Sequence, residues 1–206
     1  MADRVHTDVE ASALPDLDAQ LMLQVREGDD DSFRALLDKY RNPLIYFIYR
    51  MVRDQAVAEE LAQEVFLRIY RSRASYEATA KFTTWMFRIA THVSLNWLRD
   101  ERNALKQERL DHIRGDFNPV RQVVDGKPTV EQDLLRHARA NEVRDAVAAL
   151  PHKQRAAVLM HKYHEMGYAQ IAGALDCSES AVKSMLFRAY ETLRTRLAHM
   201  DAGGLR

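Results

Sequence analysis

The stretch 168–197 constrains the fold of this chain more strongly than any other part. It contains two segments with apolar residues at helical spacings of three and four, separated by a polar run at 176–179. Ser178 can cap the second segment, and Glu179 places a carboxylate in its first turn, where the helix dipole favours it. A short helix, a turn and a longer helix with outward polar residues are typical of a DNA-binding helix-turn-helix. The alternative is a plain helical hairpin.

Charge is unevenly distributed along the 206 residues, although 30 basic and 30 acidic residues give a net charge of zero. Positions 1–31 hold two basic and nine acidic residues, a balance of −7, so the rest of the chain carries +7. A basic body of this kind can neutralise nucleic-acid phosphates. The single cysteine excludes an intramolecular disulfide. Because no apolar run has membrane-spanning length and no signal peptide is recognisable, we expect a cytoplasmic protein.

Helical periodicity without strand-like alternation predicts an all-α fold of two small helical domains joined by a flexible linker, with the helix-turn-helix in the C-terminal domain. A long helix is expected to be capped by Asp31, with Pro43 bending or interrupting it. Two helices are expected over 82–106, separated by a break near 91–93. The predicted boundaries are a disordered acidic arm at 1–17, a first domain at 18–110, a linker at 111–130 and a second domain at 131–200.

The stretch 82–102 combines residue types that suit unpaired nucleic-acid bases. Aromatic residues such as Trp85 and Trp97 alternate with Arg88 and Arg99 and with amides and hydroxyls. Unpaired bases stack on aromatic faces, while guanidinium groups neutralise the adjacent phosphates. The alternative is that the aromatic side chains belong to the hydrophobic core.

No motif of an enzyme active site is recognisable in the sequence. His161 and His164 have a spacing that can bind a metal, but no carboxylate or thiolate at a recognised spacing joins them, so neither a metal site nor a cofactor is predicted. Cys177 is expected to be a small packed residue rather than a redox thiol. The regular acidic face of the helix following Asp54 is either a solvated surface or a docking face for a partner helix.

Three segments, in this order, resemble the extracytoplasmic-function (ECF) class of bacterial sigma factors. Residues 56–72 (AVAEELAQEVFLRIYRS) look like the family's helix that docks on the clamp coiled coil of RNA polymerase. Residues 81–102 (KFTTWMFRIATHVSLNWLRDER) look like its promoter-melting and −10-reading segment, and 150–197 look like its −35-reading domain. The resemblance implies an alternative sigma factor without catalysis of its own, which binds core RNA polymerase and reads −35 duplex and −10 single-stranded DNA.

The resemblance also implies three sets of site residues. Those implied to contact −35 DNA are Ser180, Lys183, Ser184, Phe187 and Arg188. Those implied to contact the −10 strand, through a loop at about 91–96 between two helices, are Trp85, Arg88, Thr91, His92, Val93, Ser94, Asn96 and Arg99. Those implied to dock on core polymerase are Glu59, Glu60, Gln63, Glu64 and Phe66. Two positions depart from the family pattern: Met185 replaces a frequent basic residue, and His92 a common Asn.

The implied partners are core RNA polymerase, promoter DNA and an anti-sigma factor, which in this family is often membrane-bound; no small-molecule substrate is implied. A stand-alone helix-turn-helix repressor or activator is one alternative, which would explain 150–197 but leave 82–102 unused. A helical adaptor without a nucleic-acid role and a metal-dependent enzyme are the others.

Overall fold

The described part of the chain is built from helices and their connections. The computed structural model describes residues 16–111 and 132–202, and no strand occurs in them, which confirms the all-α prediction. In chain order the helices are α1 (Leu17–Arg26), α2 (Asp30–Val52), α3 (Gln55–Arg71), α4 (Phe82–Asp111), α5 (Gln132–Ala148), α6 (His152–Tyr163), α7 (Tyr168–Leu175) and α8 (Glu179–Ala202). A short 3-10 turn, Arg73–Ser75, lies between α3 and α4. The predicted acidic arm up to residue 15 and the predicted linker from residue 112 lie outside the described residues.

In the first helical domain, α2 packs against α1, α3 and α4. The carboxylate of Asp29 caps α2 by accepting hydrogen bonds from the backbone N–H groups of Asp31, at 3.0 Å, and Ser32, at 3.4 Å. The prediction of Asp31 as the cap was therefore wrong, because Asp29 supplies the acceptor before the first turn. Asp54 caps α3 in the same way, accepting from the N–H of Val57 at 3.1 Å.

Helix α2 continues through Pro43, so the predicted interruption does not occur. A proline removes one backbone hydrogen bond from a helix interior. Apolar residues at helical spacing on both sides of Pro43, among them Leu36, Leu44 and Ile48, are fully buried. Their burial holds the two halves of α2 against the same core, which offsets the lost hydrogen bond.

Helix α4 is also continuous, and the predicted break near 91–93 was wrong. The buried stripe of Met86, Ala90 and Val93 passes through the expected break at spacings of four and three. Ser94, a polar residue next to the expected break, donates its hydroxyl to the carbonyl oxygen of Ala90 at 2.8 Å and is accommodated within the helix. The continuous helix changes which of the candidate site residues face the same way.

The second helical domain has the predicted helix-turn-helix as its C-terminal part, formed by α7 and α8. Asp176 ends α7 in the left-handed conformation, with φ of 53°. The hydroxyl of Ser178 accepts from the N–H of Ala181 at 3.2 Å, which confirms Ser178 as the cap of α8. Half-buried Cys177 packs against the core, as expected.

The two domains pack on each other. Helix α7 lies against α4, and α6 lies against α2. The ring of His164, at the end of α6, lies 5.9 Å from that of Phe47 in α2 and 4.3 Å from that of Phe87 in α4. The buried apolar side chains of both domains therefore form one continuous cluster.

Candidate nucleic-acid interface

Helix α8 presents one polar face to solvent. The five residues predicted to contact duplex DNA are all exposed on neighbouring turns of this face: Ser180, Lys183, Ser184, Phe187 and Arg188. We call this set the α8 face. The opposite side of the helix is anchored by Val182 and Leu186, which are buried in the core. The helix-turn-helix thus fixes the direction in which the five side chains project.

The cations of the α8 face are available to an anionic partner. Among the residues that the structure describes, no carboxylate lies within ion-pair distance of Lys183 or Arg188, because Glu191 of the same helix pairs with Arg194 instead. Phe187 is 68% exposed and adds an apolar group beside these cations. Met185 is half-buried and packs against the core, at the margin of the face.

The unbroken α4 aligns five of the eight predicted −10 residues. At spacings of three or four, a single side of the helix carries Trp85, Arg88, His92, Asn96 and Arg99. We call these residues the α4 row, and at the helical rise they extend over about 21 Å. All are exposed except Trp85, which is half-buried with its ring 4.9 Å from that of Tyr76. A row of this length can contact several nucleotides of an extended strand.

The other three predicted −10 residues, Thr91, Val93 and Ser94, are buried. They do not form the loop between two helices that the resemblance implied, because α4 has no break there. The hydroxyl oxygens of Thr91 and Thr84 are buried, and neither has a hydrogen-bond partner among the described residues. Unsatisfied buried hydroxyls are uncommon in folded proteins and call for a physical reason.

A groove of about 680 Å³ runs between α2 and α3, and we call it the α2–α3 groove. Its apolar walls include Phe33, Leu37 and Phe66, and its rim carries charged residues of both signs. Of the five residues predicted to dock on polymerase, three line this groove: Glu59, Gln63 and Phe66. The other two, Glu60 and Glu64, lie outside its lining, and Glu64 accepts from Arg68 at 2.7 Å.

Sequence reasoning missed Leu67, which lines the groove and is 48% exposed. It also missed Phe33 and Leu37 of α2, which form the opposite wall. A signal for Leu67 was present: it is a large apolar residue on the polar side of α3, beside Gln63 and Glu64. The two residues of α2 line the groove only because α2 packs beside α3. The apolar pattern of a single helix carries no information about which helix packs beside it.

The histidines of α6 have partners that do not suggest a metal. His161 Nδ1 lies 3.2 Å from the carbonyl oxygen of Met166. Burial, and to a lesser extent the positive charge of Arg50, lower the pKa of His164 to about 4, so its ring is neutral at pH 7. The described residues bring together no group of three His, Cys, Asp or Glu side chains that could hold a metal ion.

Comparison with known proteins decides the family. Residues 36–104 match the family model described as sigma-70 region 2, and residues 140–193 match the one described as sigma-70, region 4. RNA polymerase sigma-H factor of Pseudomonas aeruginosa is 28% identical over 181 residues, covering 85% of this chain and 91% of that protein. ECF RNA polymerase sigma factor SigW of Bacillus subtilis is 27% identical over 174 residues, covering 84% and 93%. The chain belongs to the ECF class of bacterial sigma factors.

Solved structures agree with this sigma-factor fold. CnrH, in complex with the cytosolic domain of CnrY, has a TM-score of 0.65 at 18% identity, covering 92% of this chain and 100% of that chain. The sigma factor RpoE, in complex with the anti-sigma factor NepR from Bartonella quintana, has a TM-score of 0.60 at 19% identity, covering 81% and 96%. At such identities the likeness concerns the fold alone.

As an alternative sigma factor, the protein binds core RNA polymerase and directs promoter recognition in transcription initiation. The match to region 2 accounts for α2–α4, which a stand-alone helix-turn-helix repressor or activator would leave unused. Within the described residues, none of the helices is both long enough and apolar enough to cross a membrane.

Proposed function

We propose that the sigma factor reads −35 duplex DNA with the α8 face. The observation that carries this proposal is the exposed pair of cations, Lys183 and Arg188, which have no carboxylate partner among the described residues and flank Ser184. An arginine can donate to two acceptors of a guanine in the major groove, and a serine hydroxyl can donate or accept at a base edge. Phe187 can contact a thymine methyl group.

Arg188→Ala tests this assignment, with Arg196→Ala as a matched control at an exposed position farther along α8. We expect Arg188→Ala to lower transcription from promoters that depend on their −35 element by about 1–3 kcal/mol of recognition free energy. The ability of the Arg188→Ala chain to compete with the unchanged chain for core polymerase should not change. Equal effects of the two variants, or loss of core binding by Arg188→Ala, would contradict the assignment.

We further propose that the −10 strand lies along the α4 row. His92, Asn96 and Arg99 are exposed and supply a ring, an amide and a guanidinium on successive turns. These groups suit an unstacked strand, in which base edges and phosphates are both accessible. Arg88 belongs to the same exposed row, whereas buried Thr91, Val93 and Ser94 support the helix from its core side.

Asn96→Ala should weaken binding of holoenzyme to single-stranded −10 oligonucleotides, with a loss that depends on the base at one position. Glu101→Ala, at an exposed position farther along α4 and outside the α4 row, is the control. The same loss for every base, or no loss at all, would count against base reading by Asn96.

For core polymerase, we propose that the clamp coiled coil occupies the α2–α3 groove. The groove joins apolar walls to a rim of Glu59 and Gln63, which suits an amphipathic helical partner.

Leu67→Glu places a charge on the exposed apolar edge of the groove. This variant should compete with the unchanged chain for core polymerase at least about tenfold more weakly. Leu17→Glu is the matched control, because Leu17 is 74% exposed and lies outside the groove. Comparable affinity of both variants for core polymerase would rule out this docking site.

We propose that the chain has no catalytic activity of its own, that it acts in the cytoplasm with core polymerase, and that the domains end near 110 and begin near 131. A further proposal is regulation by an anti-sigma factor, membrane-bound as in many relatives; its support is the fold shared with RpoE, whose structure contains the anti-sigma factor NepR. A partner protein that lowers run-off transcription by the holoenzyme when it is added at one molecule per molecule of this sigma factor would be the expected anti-sigma factor.

A further inference from the structure

Tyr168, the first residue of α7, belongs to none of the sets of site residues described above. The first turn of α7 is capped, because the side-chain oxygen of Gln170 accepts a hydrogen bond from the N–H of Gly167 at 2.9 Å. This cap fixes the backbone that carries Tyr168. The side chain of Tyr168 is 40% exposed, so the helix-turn-helix presents an aromatic ring at the start of its first helix.

The ring of Tyr168 contacts the ammonium group of Lys183, a residue of the α8 face. The Lys183 Nζ atom lies 5.7 Å from the centroid of the ring. This distance is within the roughly 6 Å over which the face of an aromatic ring attracts a cation. In the part of the chain that the structure describes, no carboxylate lies within ion-pair distance of this ammonium group. The ring therefore orients it without competition from an acidic side chain.

The ring of Tyr168 is itself held in place by His161 of α6. The centroids of the two rings lie 5.5 Å apart, with an angle of 35° between their planes. His161 Nδ1 lies 3.2 Å from the carbonyl oxygen of Met166, and a carbonyl oxygen only accepts, so Nδ1 carries the hydrogen and donates it. This hydrogen bond fixes the orientation of the imidazole. A fixed imidazole, the phenol ring and the ammonium group thus follow one another from α6 to α8.

Such an arrangement changes what Lys183 must lose when it binds DNA. A lysine has a long flexible side chain, and the ordering of such a side chain at an interface opposes binding. A ring that already holds the ammonium group reduces this opposing term. The ammonium group has several N–H donors, so it can remain against the ring and still donate to an acceptor on DNA.

We propose that Tyr168, supported by His161, is a positioning residue for the −35 contact of Lys183. This inference rests on the proposed assignment of the α8 face to −35 DNA. Tyr168 acts through Lys183: it keeps the ammonium group beside α8 in the free protein, so that the charge meets the duplex in an ordered position. The −35 interface therefore depends on α6 and α7 as well as on the exposed side chains of α8.

A double-mutant cycle on the full chain, assembled with core polymerase, tests the proposal. The probe is a duplex promoter fragment that the holoenzyme of the unchanged chain selects from a random library. The measured quantity is the dissociation constant of each holoenzyme for this fragment at one salt concentration. Tyr168→Leu removes the ring but keeps a large apolar side chain, Tyr168→Phe keeps the ring, and Lys183→Gln removes the charge.

We expect Tyr168→Leu to weaken promoter binding by about two- to fivefold when Lys183 is present. In the Lys183→Gln chain the same change should have no effect, because no ammonium group is left for the ring to hold. Tyr168→Phe should bind like the unchanged chain. Equal losses from Tyr168→Leu in the two backgrounds would overturn the proposal, as would a loss by Tyr168→Phe as large as that by Tyr168→Leu.

The matched control is Tyr163→Leu, because Tyr163 is also exposed and its ring contacts Arg50 instead of Lys183. This variant should bind the promoter fragment like the unchanged chain. A loss as large as that of Tyr168→Leu would show a general effect of removing an exposed tyrosine, and would overturn the proposal. Urea unfolding followed by circular dichroism verifies that each variant is folded.

His161→Ala tests the support of the ring. It should weaken promoter binding by no more than Tyr168→Leu does, and it should have no effect in the Tyr168→Leu chain. An unchanged loss in that chain would overturn the role of His161.

Lys183→Gln alone separates the proposal from its basis. If this variant binds the promoter fragment as tightly as the unchanged chain, the assignment of Lys183 to −35 DNA is wrong. If it binds more weakly and the effect of Tyr168→Leu is simply additive, only the positioning role is wrong.

Discussion

Replacement of Arg155 tests the energetic basis of the domain packing. Its guanidinium donates to the carbonyl oxygens of Met51 at the end of α2 and of Ala148 at the end of α5, and lies 3.4 Å from that of Leu150. A hydrogen bond donated by a charged group contributes about 1.5–3 kcal/mol. Arg155→Ala removes the hydrogen bonds to these three carbonyl oxygens and leaves buried carbonyls unpaired, so we expect the free energy of unfolding to fall by about 3–5 kcal/mol.

Urea unfolding followed by circular dichroism measures this loss. Arg155→Lys should lose roughly half as much, because a lysine ammonium keeps the charge but not the planar fork that reaches several carbonyls. The control is Lys153→Ala, an exposed change on the same helix, which should alter the free energy of unfolding by less than about 0.5 kcal/mol. If Arg155→Ala were as stable as Lys153→Ala, Arg155 would not hold the two domains together.

Three other changes follow from the same contacts. Burial and, to a lesser extent, Arg50 lower the pKa of His164 from 6.5 to about 4, so its neutral ring contributes fully to the free energy of unfolding above about pH 6.5 and progressively less as the pH falls toward 4. The stability–pH profile of His164→Phe should lack this decline. Asp29→Ala should lower the free energy of unfolding by about 1 kcal/mol in urea, and Asp29→Asn should recover most of the loss. Gly173→Ala should fail to gain the roughly 1 kcal/mol that alanine normally brings to a helix, because its methyl group meets Thr84; the full gain on thermal unfolding would show that α7 is not held against α4.

Local sequence patterns were sufficient for the elements that depend on local interactions. The helix-turn-helix and its cap at Ser178 were predicted correctly, because the turn, the cap and both apolar stripes lie within about thirty residues. The break near 91–93 was predicted wrongly, as was the loop at 91–96 that the resemblance implied, although polar Thr91 and Ser94 lie there. In the structure both are buried, and Ser94 donates to the carbonyl oxygen of Ala90 within the helix.

The parts of the candidate site that were missed depend on contacts between distant segments. The α2–α3 groove exists because Phe33 faces Phe66 across two helices, with ring centroids 6.5 Å apart. The packing of the domains depends on Arg155 reaching Met51, 104 residues away in sequence. Neither contact leaves a periodic signal in one segment, so helical patterns could place the residues on helices but could not show which helices meet.

Transcription reconstituted with core RNA polymerase over a promoter library tests whether this chain directs initiation by reading both promoter elements. We expect the full chain to direct initiation at a subset of promoters that share one −35 and one −10 sequence, and the Arg188→Ala chain to lose preference at the −35 element only. Initiation that is independent of promoter sequence, or no initiation by a folded chain that binds core polymerase, would contradict promoter reading by this chain.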